Sequence, residues 1–255
     1  MSKLFSDKHE KIRVKSPVID FHSHILPHMD DGSQSIEMSL KMLDIQQKIG
    51  TDIVVATPHF YGFRETISDF LVRREQVWKQ LSAERKPHHP QIILGAEVTL
   101  FSKLASLEHL DALCIGNTNT LLLEMPFSLW SGLELDIVST LCLNRGYRVV
   151  LAHFERFLPY QRDKHIIDSL LELPLWVQIN AGSLCSFTKR TAARNLFRSG
   201  KAQLLGSDCH NLNSRPPNLE AGRAILRKKL GPQVLHEMDS CGQWLLSSEY
   251  SDLEG

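Results

Sequence analysis

The sequence lacks an excess of charge of either sign and any long hydrophobic run. Its 255 residues include 29 Lys and Arg and 29 Asp and Glu, so the formal net charge is zero. A nucleic-acid-binding surface normally requires a basic excess, so we expect no nucleic-acid partner. No stretch approaches the ~18 uninterrupted apolar residues that predict a membrane-spanning helix, and we therefore expect no membrane insertion.

Cysteine is also scarce, and a targeting segment is not apparent. The five cysteines are Cys114, Cys142, Cys185, Cys209 and Cys241. Their odd number and the absence of a short paired spacing argue against a disulfide framework or a zinc knuckle. Residues 1–17 form a polar N-terminal leader with charges throughout, whereas a signal peptide needs an apolar centre. These features predict a cytoplasmic protein with reduced cysteines.

The chain does contain a regular alternation of short apolar runs and amphipathic segments. This pattern is typical of parallel strands joined by helices. We predict seven buried strands, at 18–21, 53–56, 92–94, 121–123, 149–152, 175–179 and 202–205. With 42% hydrophobic residues and no Pro/Gly/Ser-rich linker, residues 18–255 are predicted to form a single α/β domain with a parallel barrel.

Each predicted strand ends in a polar side chain. The first ends in His22-Ser23-His24, whose two imidazoles share one face because side chains alternate along a strand. In a closed parallel barrel the C-terminal ends of all strands converge on one mouth. We therefore expect the polar strand ends to form one site.

These strand ends supply nine candidate metal ligands. They are His22, His24, Asp31, His59, Glu97, Glu124, His153, Asp208 and His210. Divalent first-row metals bind mixed sets of imidazoles and carboxylates, and carboxylates can bridge two ions. Nine ligands are too many for one tetrahedral or octahedral ion, so the sequence predicts a polynuclear site. Several dications lower the pKa of a bridging water and attract a phosphate dianion, which favours hydroxide attack on a phosphoester.

The strand-end motifs resemble those of the polymerase-and-histidinol-phosphatase (PHP) superfamily. The motifs are His22-Ser23-His24, Asp30-Asp31-Gly32, Thr57-Pro58-His59, Gly95-Ala96-Glu97, Glu124-Met125-Pro126-Phe127, Ala152-His153-Phe154-Glu155-Arg156 and Ser207-Asp208-Cys209-His210-Asn211. More narrowly, the chain resembles the bacterial branch of metal-dependent protein-tyrosine phosphatases tied to capsular and exopolysaccharide synthesis. That narrower likeness depends on Asp31, Glu124, the Glu-Arg pair after His153, and the run from Asn211 to Pro217.

The resemblance implies a distorted seven-stranded (β/α)7 barrel with three divalent metal ions. Mn²⁺ is the expected metal, and the ligand set also accepts Fe, Co or Zn. By analogy, the first ion is held by His22, His24, Glu97 and Asp208, the second by Glu97, Glu124 and His153, and the third by Asp31, His59 and His210. The implied activity is hydrolysis of phosphotyrosine, on the C-terminal tail of a bacterial tyrosine autokinase involved in polysaccharide assembly.

Two arginines follow predicted ligands and are assigned to phosphate binding. Arg156 and Arg215 lie on loops at the expected mouth of the barrel, where a guanidinium can hold non-bridging phosphate oxygens. A phenolate leaving group has a conjugate-acid pKa near ~10, so it departs with less assistance than an alkoxide. Aryl phosphates are therefore expected to be the better substrates.

Other functions share parts of this pattern. A histidinol-phosphate or other small-molecule phosphatase would use the same ligands, and a non-catalytic metal-binding module would be marked by loss of some of them. A metal-dependent nuclease is disfavoured by the zero net charge. Asp30, beside the predicted ligand Asp31, is expected to serve the Asp-Asp-Gly turn instead.

One further pattern points to a different phosphatase chemistry. Cys142 and Arg148 have the spacing of thiolate-dependent tyrosine phosphatases. The residues between them close an amphipathic helix and enter a strand, whereas a thiolate enzyme needs a loop that wraps the phosphate with backbone amides. Cys142 is therefore expected to pack in the core and remain unreactive.

Overall fold

A computed structural model describes residues 16–248, so the predicted leader falls almost entirely outside the described residues. The strands are β1 (Ile19–Ser23), β2 (Ile53–Ala56), β3 (His59–Phe60), β4 (Gln91–Leu94), β5 (Glu97–Thr99), β6 (Thr120–Glu124), β7 (Arg148–Leu151), β8 (Trp176–Asn180) and β9 (Leu204–Gly206). The α-helices are α1 (Ile36–Lys48), α2 (Ile67–Glu84), α3 (Gly132–Ser139), α4 (Lys164–Leu171), α5 (Ala181–Cys185), α6 (Arg190–Arg198), α7 (Leu219–Leu230) and α8 (Gln233–Leu245).

The strands form two sheets, and all strand pairs in them are parallel, as the alternating sequence pattern predicts. One sheet has the order β1-β2-β4, and the other has the order β3-β5-β6-β7-β8-β9. An isolated parallel bridge between Ser23 and Cys209 connects the end of β1 to the segment after β9. The molecule is thus a mixed α/β fold around a curled parallel sheet.

The prediction of seven strands is not confirmed in that form, because the described chain has nine. All seven predicted runs contain a strand, and β3 and β5 are additional. They follow β2 and β4 after breaks at Thr57-Pro58 and Gly95-Ala96. Proline has no backbone N–H to donate to a neighbouring strand, so it interrupts regular pairing.

The apolar core lies on both faces of the sheet, and alternate residues of β7 belong to different apolar clusters. Val149 and Leu151 belong to a large apolar cluster that includes residues from the helices. Val150 and Ala152 belong to a smaller cluster with residues of β1, β2, β6 and β9 and with Leu245 near the end of α8. Side chains alternate between the faces of a strand, so the curled sheet buries both faces. This arrangement fixes the strand ends relative to one another.

Helix ends are marked by local signals. Ser35 caps α1 by accepting a hydrogen bond from the backbone N–H of Met38, and Ser131 and Glu134 form a capping box at the start of α3. Between the last two helices, Arg223 of α7 pairs with Asp239 of α8 through two buried contacts of 2.5 and 2.8 Å. Within residues 16–248, no helix is long and apolar enough to cross a membrane.

Candidate metal centre

Eight of the nine predicted ligands lie at or within four residues of the C-terminal end of a strand, and Asp31 lies in the loop between β1 and α1. His22 is in β1, and Glu124 is the last residue of β6. His59 and Glu97 begin β3 and β5 and are direct partners across these two strands. The additional strands therefore carry ligands themselves.

Two of the predicted ligands have a backbone conformation that non-glycine residues rarely adopt. His153 has φ of 30° and Asp208 has φ of 52°. The left-handed region costs such residues roughly 1–3 kcal/mol. The His153 N–H donates to Oε1 of Gln178 at 2.7 Å, and the Asp208 N–H donates to the carbonyl oxygen of His22 at 2.8 Å. These bonds hold both residues in conformations that direct their side chains to the centre.

Glu97 lies in the middle of the cluster and is fully buried. Its Oε2 is 3.1 Å from His22 Nε2 and 3.2 Å from His24 Nε2. The same oxygen is 3.0 Å from His59 Nδ1, while Oε1 is 2.8 Å from His153 Nε2. One carboxylate thus contacts four imidazoles from three different segments of the chain.

The protonation of His22 and His24 provides a test of whether the site fits a cation. The Nδ1 of His22 lies 3.1 Å from Oε1 of Gln178, and the Nδ1 of His24 lies 2.6 Å from Oδ2 of Asp30. Both partners are acceptors, so each Nδ1 carries the proton and each Nε2 presents a lone pair. The two Nε2 atoms are 3.0 Å apart and face the Glu97 oxygen. Converging lone pairs repel one another unless a cation lies between them, so these residues fit a metal ion.

The remaining ligands lie around this central group. Asp208 Oδ1 is 3.5 Å from His24 Nε2, and Glu124 Oε1 is 3.5 Å from His153 Nε2. Asp31, the most exposed of the nine, places Oδ1 3.4 Å from His210 Nε2. Four overlapping groups have metal-binding geometry here: His22, His24 and Asp208; His22, Glu97 and His153; His59, Glu97 and Glu124; and His24, Asp31, His59 and His210. All nine predicted ligands occur in at least one group.

Several buried polar atoms at the centre have no hydrogen-bond partner within residues 16–248. They are Oε2 of Glu97, Nδ1 of His59, Nδ1 of His153 and Nε2 of His210. His59 Nδ1 is close to Glu97 Oε2, but the geometry is not that of a hydrogen bond. Buried polar groups without partners are costly, and ligand atoms are a common exception because a metal satisfies them.

Burial and mutual charge shift the pKa values in opposite directions across the centre. Burial opposes ionisation of Glu97 and Asp208, but nearby imidazoles, His22 foremost, outweigh it and hold both pKa values well below the usual range. Burial and the neighbouring Glu97 carboxylate raise the pKa of Glu124 to about 7. Glu97 and Asp208 are therefore the permanent anions of the centre.

Both predicted phosphate-binding arginines reach this centre. Arg215 Nη2 donates to both oxygens of Asp208, at 2.9 and 3.0 Å, and its Nη1 is 3.6 Å from Asp31 Oδ2. Arg156 Nη1 donates to Asp208 Oδ2 at 3.4 Å, and its guanidinium lies over the ring of Phe127. The two arginine side chains are about one-third exposed, and both line the open cavity.

A cavity of about 340 Å³ opens onto the centre. Its walls include Glu97, Glu124, His153, Arg156 and Arg215 together with the aromatic side chains Tyr61 and Phe127. Tyr61 stacks on His59, and Phe127 stacks on His153. A larger cavity of about 860 Å³ lies beside the start of α2 and contains none of the predicted ligands.

Three polar residues outside the predicted set, Asp30, Gln178 and Asn180, contact the predicted ligands. Asp30 was expected to serve the turn; its Oδ1 does accept from the N–H of Gly32, but its Oδ2 accepts from Nδ1 of His24 and from the N–H of His59. Gln178 bonds to His22, and its Nε2 donates to Oδ1 of Asn180, whose Nδ2 donates to Asp208 at 2.6 Å. The alternation of Gln178 and Asn180 at the end of a predicted strand was the available signal.

The cysteines are not placed for catalysis. Cys142 lies in a short π-helical turn, Thr140–Asn144, and burial raises the pKa of its thiol to about 11. Arg148 donates to the carbonyl oxygens of Trp244 and Ser247, away from the metal centre. Cys209, between two predicted ligands, is in the apolar core, and burial raises its pKa to about 12. Thiols with raised pKa values are poor nucleophiles.

Two known proteins are similar in sequence to this chain over most of their length. Tyrosine-protein phosphatase CpsB of Streptococcus agalactiae is 27% identical over 234 residues, which cover 87% of this chain and 94% of that protein. Tyrosine-protein phosphatase YwqE of Bacillus subtilis is 28% identical over 238 residues, covering 91% and 92% of the two chains.

Two solved structures are similar in fold to this chain. A crystal structure from a study of YwqE from Bacillus subtilis and CpsB from Streptococcus pneumoniae, described as unique metal-dependent tyrosine phosphatases, matches with a TM-score of 0.78 and 25% identity. The match covers 90% of this chain and 94% of that chain. An amidohydrolase from Mycoplasma synoviae, 9% identical with a TM-score of 0.53, shares the fold alone. A family model described as capsular polysaccharide synthesis, CpsB/CapC, matches residues 18–240. The chain therefore belongs to the CpsB/CapC family.

Proposed function

We propose that this protein is a metal-dependent protein-tyrosine phosphatase. The observation that carries the proposal is the contact of the Glu97 carboxylate with four imidazoles beneath the Arg156 and Arg215 side chains. Such a centre combines a polynuclear ligand set with phosphate-binding groups in one cavity. The relatives with similar sequences are named tyrosine-protein phosphatases, which supports the same assignment here.

We propose that the nine ligands hold three divalent ions in the partition that the family resemblance implies. Glu97 would hold both the first and the second ion, and the contacts of its two oxygens with His22 and His153 support that role. Mn²⁺ is the proposed metal, with Fe, Co or Zn as substitutes, because carboxylate and imidazole ligands accept all of them. When bound, such ions supply a deprotonated water as nucleophile and positive charge for the phosphate oxygens.

The chain's own residues then bind and orient the phosphate ester. Arg156 and Arg215 hold its non-bridging oxygens by charge-assisted hydrogen bonds, using donors that their contacts with Asp208 leave free. Tyr61 and Phe127 supply aromatic walls for the aryl group. A phenolate departs without a strong general acid, so the cavity suits phosphotyrosine better than an alkyl phosphate.

The proposed substrate is a phosphotyrosine protein, specifically the C-terminal tail of a bacterial tyrosine autokinase in polysaccharide assembly. The family's description as capsular polysaccharide synthesis supports this context. The cytoplasmic location stays a prediction from the sequence.

We further propose that the nine strands be counted as a distorted seven-stranded barrel in a single domain spanning residues 18–255. Backbone hydrogen bonds from Gly95 N–H to Ala56 O and from Glu97 N–H to Pro58 O continue the pairing across both breaks. On this count β2 with β3 and β4 with β5 are two bent strands, and the Ser23–Cys209 bridge closes the ring. The family match over residues 18–240 supports one domain.

The activity is tested by comparing substrates with metal-loaded protein. We expect a higher kcat/KM for a phosphotyrosyl peptide than for histidinol phosphate. The double variant His22→Ala/His24→Ala should lose turnover while its circular dichroism is retained, because both residues lie at the metal centre. His165→Ala, which removes an exposed imidazole on α4, is the matched control. Preference for histidinol phosphate would instead favour a small-molecule phosphatase, and the absence of any phosphatase activity would favour a non-catalytic metal-binding module.

A further inference from the structure

A second polar cavity lies behind the two phosphate-binding arginines. It has a volume of about 330 Å³, and we refer to it as the rear cavity. Arg156, Asp208 and Arg215 line both this cavity and the one over the metal centre. The rear cavity is otherwise lined by different residues, including Lys189, Ser183, Ser207, Ser214 and Asn218. Arg156, Asp208 and Arg215 are thus the wall between the two adjoining cavities.

The rear cavity carries an excess of positive charge. Its charged lining consists of Arg156, Lys189 and Arg215 against the single carboxylate of Asp208. That carboxylate already accepts hydrogen bonds from both arginines and from Asn180. The chain as a whole has no net charge, so this local excess is a property of the cavity and not of the general surface.

Hydrogen-bond donors remain available on that wall. A guanidinium has five N–H donors, and Arg156 uses one guanidinium nitrogen on Asp208, at 3.4 Å. Arg215 uses Nη2 on Asp208 and approaches Asp31 with Nη1. Asn218, whose buried Oδ1 has no hydrogen bond within residues 16–248, also lines this cavity, and its side-chain amide carries an NH₂ donor group. The cavity therefore offers charge and donors to an anion.

We propose that the rear cavity binds a second anionic group of the substrate peptide, a carboxylate or phosphate on a residue near the phosphotyrosine. This inference rests on the proposed phosphatase function and adds a sequence preference to it. The arginines lie between the two cavities, and successive Cα atoms are only ~3.8 Å apart, so one peptide can place an anion on each side of the wall. A neutral or basic neighbour would offer no anion to Lys189, the cation of this lining that the phosphotyrosine-binding role does not use.

The test compares peptides that differ at one position beside the phosphotyrosine. The neighbour is Gln, Glu or phosphoserine, and the readout is the ratio of kcat/KM for each anionic peptide to that for the Gln peptide. We expect the wild-type ratio to be about 2 to 5, the range for an exposed ion pair. A larger ratio for phosphoserine than for Glu identifies phosphate as the preferred anion, and the reverse identifies carboxylate.

Variants of Lys189 show whether the rear cavity causes the preference. Lys189 is exposed and lies just before α6. Lys189→Met should bring the ratio toward 1, and Lys189→Glu should bring it below 1 because the charge is reversed. Lys229→Met removes an exposed lysine of α7 that does not line the cavity, and it should keep the wild-type ratio.

The possible failures are distinguishable. If wild-type protein hydrolyses the Gln peptide but shows a ratio of 1, or if both Lys189 variants keep the wild-type ratio, the rear-cavity proposal is overturned and the phosphatase function stands. If no phosphotyrosyl peptide is hydrolysed, both proposals are overturned.

Discussion

Asp30 illustrates how a residue outside the ligand set controls a ligand. Its Oδ2 accepts the Nδ1 proton of His24 at 2.6 Å, which leaves Nε2 free to face Glu97. Carboxylate partners of this kind fix the tautomer and raise the basicity of a metal-binding histidine.

Replacement of Asp30 should therefore weaken metal binding without removing a ligand. Asp30→Asn has one acceptor oxygen where the native residue uses two, so it cannot serve Gly32, His24 and His59 together. We expect metal affinity to fall about 10- to 100-fold, measured by competition with a chromogenic chelator. The control is Asp163→Asn, which alters the cap of α4 but not the metal centre. Unchanged affinity in folded Asp30→Asn would contradict the positioning role.

Glu155 is a buried carboxyl whose ionisation opposes folding. Burial raises its pKa to about 7, whereas an unfolded glutamate titrates near ~4.3. Below ~pH 4 the group is protonated in both states and contributes nothing. Between the two pKa values the folded state binds more protons, so this contribution to stability falls as pH rises and is fully unfavourable above about pH 7.

Glu155→Gln should remove this unfavourable contribution. In chelator-treated protein, the variant's gain in free energy of unfolding is expected to be near zero at acidic pH and at most on the order of 3 kcal/mol at pH ~8. Urea denaturation at several pH values measures it. Glu172→Gln, at an exposed position after α4, is the control and should show no such trend. A gain that is constant across pH would show that Glu155 does not titrate as inferred.

At the scale of elements, close packing between α5 and α7 determines which residue is tolerated at position 222. A Cβ on Gly222 would lie 2.9 Å from both the Cα and the Cβ of Ala181. Alanine would favour an isolated helix by about 1 kcal/mol over glycine. The contact with Ala181 backbone is too short to be relieved by a side-chain rotation, so the packing effect should win.

Gly222→Ala is therefore expected to be destabilising by about 1–2 kcal/mol in urea denaturation, after the gain in helix propensity is subtracted from the overpacking cost. Gly132→Ala, at the start of α3 with no atom within 4 Å of the added Cβ, is the matched control and should be neutral or stabilising. Equal stability of the two variants would mean that α5 and α7 separate easily.

At the scale of the whole molecule, metal binding should stabilise the fold because the proposed ligands come from segments spread between His22 and His210. A ligand that binds only the folded state adds about 2.7 kcal/mol at 100 times its Kd. Mn²⁺ is expected to raise Tm by several degrees, and a chelator should reverse the change. The His22→Ala/His24→Ala variant should show a much smaller shift in a thermal scan. An equal shift in both proteins would place the stabilising metal elsewhere.

Much of the fold and site could be predicted from the sequence because the relevant patterns are local. Each of the seven predicted apolar runs contains a strand, and the candidate ligands chosen at the run ends are residues that the structure brings close together. The two-residue β3 and the three-residue β5 were missed because each begins with a charged or imidazole residue and neither forms an apolar run of its own. Asp30 was assigned only to a turn, since Asp-Asp-Gly has the same appearance whether or not an imidazole lies nearby.

The sequence by itself determined the residue types at the strand ends and the parallel α/β pattern, because both follow from side-chain chemistry and hydrophobic periodicity. Only the tertiary structure decided that Glu97 is central, that Asp30 and Gln178 orient the imidazoles, and that Arg156 and Arg215 separate two cavities. These relations join residues from distant segments. They depend on how the curled sheet sets strand ends against one another, and no local pattern encodes those distances.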